Sequence, residues 1–231
     1  DAGTTCGTNG VCNGKGVCGA CKPGDHDCSG KTPRSCGDDG QWSDGTACDI
    51  ACTGAGVCAT VVSIAQGAVD MCAHLSSGTV TCWGNAPTTT PNIPVDGLDG
   101  VVHLAAASNA FCAAKGDGTV WCWGSNGAGE LGQDIAITSS STPLQVPGIA
   151  SAKNVFGGYG AAFCTSQAGN TMTCWGDTIG APTATTVPNA THAALGDQFG
   201  CIRTALGEVW CWGRNSEGEC GTGTTGGPNV T

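Results

Sequence analysis

CAHLSSGTVTCWG occupies residues 72–84, and the same frame returns as CAAKGDGTVWCWG at 112–124, CTSQAGNTMTCWG at 164–176 and CIRTALGEVWCWG at 201–213. In each copy the two cysteines stand ten positions apart and the second is followed by Trp-Gly. Self-similarity at a period near forty residues marks a repeat architecture. The Trp-to-Trp spacings of 40, 52 and 37 place the variation between the units, not inside them.

One unit reads as a β-hairpin. Apolar-leaning runs flank Ser76, Ser77 and Gly78 in the first copy and Gly116, Asp117 and Gly118 in the second. Such short polar linkers supply residues that tolerate the positive φ of a tight turn. Folding the first hairpin about Ser77 sets Cys72 opposite Cys82. Opposed residues on paired strands have Cβ atoms about 4.5–5.5 Å apart, close to what a disulfide needs. The expected bridges are Cys72–Cys82, Cys112–Cys122, Cys164–Cys174 and Cys201–Cys211. The same register sets Met71 opposite Trp83, Phe111 opposite Trp123 and Phe163 opposite Trp175, with Gly200 at that place in the fourth copy. Side chains alternate across a strand, so cystines line one face of each hairpin and tryptophans the other.

Composition narrows the function classes. The chain has 231 residues with 40 glycines and 18 cysteines, which argues against a helical protein and for an oxidising, extracellular or cell-surface location. No apolar run reaches the length of a membrane span. Eight Lys and Arg stand against eighteen Asp and Glu, a net charge of −10 with no basic cluster, so nucleic acid is not an expected partner. No leader precedes Asp1, which leads to the expectation of a processed or excerpted segment.

Residues 1–59 form a separate expected region. Nine cysteines, from Cys6 to Cys58, sit among Gly, Asp, Asn, Ser and Thr, with Val11, Val17, Trp42, Ile50 and Val57 as the main apolar residues. So little core requires covalent staples. Cys18 and Cys21 have a metal-like spacing and His26 lies nearby, but no second such pair exists, and structural disulfides are the preferred reading. Asp25 and Asp27, or Asp38 and Asp39, could touch calcium but lack an oxygen-ligand loop pattern. Within this region Cys28, Gly30, Thr32, Pro33, Cys36, Gly40, Trp42 and Cys48 resemble a cysteine-rich module of secreted myxobacterial proteins, a resemblance without mapped chemistry.

Residues 60–231 hold the four repeats, with hairpins near 64–84, 104–132, 155–176 and 193–221. A small-residue strand precedes each first cysteine, IAQG at 64–67, LAAA at 104–107, FGGY at 156–159 and AALG at 193–196. After Trp-Gly the second copy continues SNGAGELG at 125–132 and the fourth RNSEGECG at 214–221, whereas copies one and three have Pro/Thr-rich connections. Asp117, Gly118, Thr119, Val120, Trp123, Gly124, Asn126, Gly129, Glu130, Leu131 and Gly132 together resemble the regulator-of-chromosome-condensation repeat, in a two-cysteine form similar to a secreted bacterial branch. The resemblance implies an all-β fold of four-stranded antiparallel propeller blades, normally seven. With four repeats here, the chain is expected to be an incomplete propeller from a longer protein. Many family members carry His two residues before the first cysteine; this chain has Asp70, Ala110, Ala162 and Phe199.

No hydrolase, P-loop, zinc-protease or dinucleotide motif occurs. No catalytic residue, cofactor or metal ligand is therefore assigned. His103, in VVHLAAA, reads as a partly buried structural histidine. Trp121 and Trp210 stand where the other copies have Thr81 and Thr173, and an unmatched aromatic could serve as a surface binding anchor. Asn189 and Asn229 open glycosylation sequons. Cys220, in the place of Leu131, reads as a buried free thiol, with a bridge to residues 1–59 as the alternative. The resulting expectation is a non-catalytic secreted or cell-surface scaffold whose loops engage a protein or glycan partner. An extracellular enzyme inhibitor is a subtype, because the repeat also resembles that of a bacterial β-lactamase inhibitory propeller. The alternative is guanine-nucleotide exchange on a small GTPase, which the cysteine count and the scarcity of Lys and Arg oppose.

Overall fold

The structure is a computed structural model and describes residues 5–6, 10–12, 18–19, 21, 24–29, 32–39, 41–48, 52–53, 56–84, 95–169, 171–177, 180–183 and 189–225. The chain divides into two compact units, Asp1–Thr60 and Val61–Thr231. Among the described residues every regular element is a strand. Gly30, Gly40, Val17, Ile50, most of the two Pro/Thr-rich connections and the Asn229 sequon lie outside the described residues.

The first unit holds three small antiparallel sheets: β1 (Thr5–Cys6), β2 (Gly10–Cys12) and β3 (Cys18–Gly19); β4 (His26–Ser29), β5 (Thr32–Cys36) and β6 (Trp42–Asp44); and β7 (Cys52–Thr53) with β8 (Val57–Cys58). Cys21 pairs with Cys36 and Cys48 with Cys58. The Cys21 sulfur is therefore committed to a disulfide, not to zinc. Arg34 lies 4.6 Å from the centre of the Trp42 ring and its Nη2 donates to Asp27 Oδ2 at 2.8 Å, so one guanidinium ties β4 to β6.

The second unit is four consecutive antiparallel sheets, or blades. Blade 1 is β9 (Val61–Gln66), β10 (Asp70–Leu75) and β11 (Val80–Gly84). Blade 2 is β12 (Val101–Ala107), β13 (Ala110–Lys115), β14 (Val120–Ser125) and β15 (Ser139–Gln145). Blade 3 is β16 (Ala152–Gly157), β17 (Ala162–Gln167), β18 (Met172–Gly176) and β19 (Gly180–Thr183), and blade 4 is β20 (Ala190–Leu195), β21 (Phe199–Thr204) and β22 (Val209–Gly213). In each, the two cysteines face one another across the central hairpin, with Cα–Cα distances of 4.0 to 4.1 Å and a disulfide between them.

The glycine of Trp-Gly has a geometric cause. Gly84, Gly124, Gly176 and Gly213 have φ of +116°, +106°, +106° and +97°, a region that suits glycine. A Cβ on Gly84 would fall 2.6 Å from the Val69 carbonyl oxygen, and the carbonyls of Asn109, Ala161 and Gln198 obstruct the other three positions. Three of those carbonyls accept the next residue's N–H, Ser125, Asp177 and Arg214, at 2.7 to 3.0 Å. The glycine thus lets the strand close on the preceding turn.

The blades stack in one direction. The cystine face of blade 1, with Val80, packs on Leu104, Phe111 and Trp123 of blade 2. The cystine face of blade 2, with Val120 and Leu131, packs on Val155, Phe163 and Trp175 of blade 3, and the cystine face of blade 3, with Met172, packs on Ala193, Leu195, Ile202 and Trp212 of blade 4. Phe111 stacks on Trp123 and Phe163 on Trp175, with ring centres 5.8 and 5.9 Å apart. The core is therefore a series of seams between sheets, each filled by aromatic rings from one side and a disulfide from the other.

Candidate binding surfaces

Several residues of the repeat signature are architectural. Buried Asn126 donates through Nδ2 to the carbonyls of Asp134 and Ile137, at 3.1 and 2.7 Å, and its Oδ1 accepts the Leu131 N–H at 2.8 Å. Glu130 Oε2 accepts the Ala128 N–H, while the Glu130 carbonyl accepts Trp175 Nε1 at 2.8 Å. The loop thereby folds on itself and pins the next blade's tryptophan. In blade 4 Asn215 repeats the pattern, accepting the Cys220 N–H and donating to the Thr224 carbonyl. Cys220 is a buried thiol without a disulfide partner, seated where Leu131 sits in blade 2.

Trp121 and Trp210 are half-buried, each against a seam: Trp121 on the core between blades 1 and 2, Trp210 on that between blades 3 and 4. Trp121 Nε1 donates to Thr119 Oγ1 at 2.9 Å, and Lys115 Nζ lies 5.7 Å from the ring centre. Lys115 also donates to Asp99 at 2.7 Å, which holds that carboxyl below its usual range. Asp117 is lowered by the Thr119 hydroxyl and N–H. The exposed edge of Trp121 thus adjoins a cation and two ionised carboxylates, a mixed polar rim around an aromatic. Trp210 lacks an equivalent cation, since Thr204 stands where Lys115 does.

At this end of the sheets, histidines from different blades approach one another. The His103 ring lies 6.1 Å from Phe156, and Phe156 lies 5.0 Å edge-on from His192. His74 is buried and His103 half-buried, and the Nδ1 of each is enclosed with no hydrogen-bond partner among the described residues. Burial lowers both imidazole pKa values, and for His103 the neighbouring His74 and His192 lower it further. A base with a depressed folded pKa contributes stability that is full above its unfolded pKa of about 6.5 and lost as pH falls toward the folded value. Urea midpoints should therefore fall between pH 7.5 and pH 5, and the fall should shrink in His103→Gln. An unchanged pH dependence in that variant would count against the histidine row as its cause.

At the opposite end, the ends of the small-residue strands of three blades form a recess of about 760 Å³. Gln66, Ser108, Gly158 and Tyr159 are among its lining residues, from blades 1, 2 and 3. Tyr159, the chain's one tyrosine, is 87% exposed. A Cβ on Gly157 would collide with the Ala106 carbonyl, and one on Gly158 with the Leu195 carbonyl, so backbone forms the wall. The small-residue strands were visible in the sequence, but that three of them enclose a recess was not. Among the described residues no group of His, Cys, Asp or Glu could hold a metal ion.

The regulator of chromosome condensation (RCC1) repeat matches residues 101–130, 190–219 and 117–165, which covers most of blades 2 and 4 and the first half of blade 3. No curated protein sequence matches the chain. Among solved structures, human WBSCR16 superposes with a TM-score of 0.63 at 16% identity, over 82% of this chain and 55% of that one. Prp20p from Saccharomyces cerevisiae, described with its binding to Gsp1p and histones, gives 0.61 at 16% identity over 87% and 59%. Yeast RCC1 (Prp20) bound to Kap60 gives 0.58 at 16% over 84% and 55%. The chain thus spans little more than half the length of these proteins. Six cysteine pairs at disulfide distance among the described residues are compatible with an oxidising, extracellular environment. With its four stacked blades, its Trp-Gly closures and these matches, the chain is a regulator-of-chromosome-condensation-type β-propeller repeat protein.

Proposed function

We propose that the chain is a non-catalytic scaffold of an extracellular or cell-surface protein, whose loops engage a protein partner, with extracellular enzymes as the first class to test. The observation that carries this reading is the disulfide inside every blade. A staple across each central hairpin holds the sheets while the connections between blades are free to differ, as in scaffolds that present binding loops. Trp121 with its charged rim, and the Tyr159 recess, are the two surfaces assigned to contact.

A second reading is nucleotide exchange on a small GTPase, favoured by the fold shared with Prp20p, the protein described with Gsp1p. One experiment separates the two. The oxidised 231-residue chain, with Trp121→Ala and Tyr159→Ala variants, is tested for saturable binding and inhibition against a panel of secreted hydrolases. In parallel it is tested for stimulated nucleotide release from a small GTPase. Binding that weakens about tenfold or more in one variant is the expected result, given what truncating an aromatic anchor removes. Stimulated nucleotide release without hydrolase binding would replace this reading with the second.

A further inference from the structure

Two enclosed imidazoles face across consecutive seams. His74 pairs with Val80 and stands two residues from Cys72, so it leaves the cystine face of blade 1, and its ring faces the Val101 carbonyl of blade 2. His103 pairs with Ala114, two residues from Cys112, and its ring faces the Val155 carbonyl of blade 3. His74 is 6% exposed, and the Nδ1 of each ring has no hydrogen-bond partner among the described residues. The groups on the strands around them are bases. β9 and β11 carry no ionisable side chain, β12 carries only His103, β13 only Lys115, β16 only Lys153 and β20 only His192. Asp70 stands at the far end of β10. Asp96, Asp99 and Asp117 sit exposed on turns, where Lys115 holds Asp99 and Thr119 holds Asp117.

We propose that His74 and His103 form an acid-released latch on the seam between blades 1 and 2, and that the latch sets the geometry of the Trp121 rim. This regulation rests on the reading of that rim as a contact surface. Val101 joins latch to rim. Its N–H donates to the Gly78 carbonyl of blade 1 at 2.9 Å, its carbonyl faces His74, and its side chain is buried in the seam. Val101 also pairs with Lys115, whose Nζ holds Asp99 and lies over Trp121. A proton on His74 puts a charge into an enclosed seam with no carboxylate on the surrounding strands to meet it. It also raises the cost of a second proton on His103. Opening the seam hands these charges to water. Burial lowers the proton affinity of both rings while the seam is closed. The closed seam is therefore favoured in full above the ordinary imidazole pKa of about 6.5 and progressively less below it. When Val101 lifts from Gly78, Lys115 moves with it and leaves the Trp121 ring.

The test uses the full oxidised 231-residue chain with no partner present, so its failure is distinct from a failure to find one. Amide hydrogen exchange is measured at pH 7.5 and pH 5.0 and corrected for the intrinsic rate at each pH. Protection over residues 98–104 should fall about tenfold or more at pH 5.0, while that of β18 stays within about twofold. The fall should vanish in His74→Gln, whose amide does not titrate, and shrink in His103→Gln, whereas exposed His26→Gln should behave as wild type. The readout is the ratio between the two pH values within each protein, so a variant that is looser at both still decides. Acrylamide quenching of the wild type minus that of Trp121→Phe isolates Trp121, and it should rise about twofold over the same interval but not in His74→Gln. Unchanged protection at pH 5.0, or a wild-type fall in both His74→Gln and His103→Gln, overturns the latch. An equal fall in β18 means global loosening and overturns it too. Exchange that changes without any change at Trp121 overturns the coupling to the rim.

Discussion

Reducing the chain's disulfides without denaturant is expected to unfold the four blades. Each hairpin disulfide closes a loop of sequence separation 10. In the chain-entropy account such a loop contributes about 2.7 kcal/mol. Four of them together contribute about 11 kcal/mol, comparable with the entire stability of an ordinary domain, about 5–15 kcal/mol. The order of reduction should follow burial. Cys112, Cys122, Cys164 and Cys174 are wholly enclosed in seams, whereas Cys201 is half-buried on the open face of blade 4. Among the blade disulfides, timed thiol labelling should find Cys201 and Cys211 first, and the emission of the buried tryptophans should shift to the red only when the enclosed pairs follow. Native emission after complete reduction would show that packing alone holds the blades.

Trp175→Ala should be the most damaging single truncation in the blade core, at about 4–8 kcal/mol. The ring is fully buried in the seam between blades 2 and 3, stacked on Phe163. Truncating a buried Trp costs about 3–5 kcal/mol through lost burial and the cavity left behind. The Glu130 carbonyl would also lose the indole N–H donated to it across the seam, and an orphaned buried acceptor costs about 1–3 kcal/mol more. The matching Trp83→Ala change should cost less than half as much, since Trp83 is half-buried and donates no such bond among the described residues. Urea unfolding of the two variants decides the point. Equal losses would mean that the blade 2–3 seam is no more important than the open face of blade 1.

The hairpin, its register and the repeat were legible in the chain, because alternation along a strand and a ten-residue spacing are local quantities. Once Cys72 and Cys82 flank a short polar turn, the pairing of Met71 with Trp83 follows from the same two-residue period. The glycine after each tryptophan could be seen but not explained: its cause is a carbonyl of the preceding turn, Val69 or Asn109, brought close only by the third dimension. Trp121 and Trp210 could be singled out as unmatched aromatics, yet only the stacking of whole sheets places each against a seam and leaves one edge in water. His103 and His192 each stand nine residues before a first cysteine, and the Tyr159 recess draws on the small-residue strands at 64–67, 104–107 and 156–159, but only the stacking of blades brings these repeat positions together into a row and a recess. By itself the sequence determined what each blade is, through distances of ten residues or fewer. The tertiary structure alone decided which face of a blade meets the next, and so which two faces remain open, because that depends on the sense in which successive sheets stack.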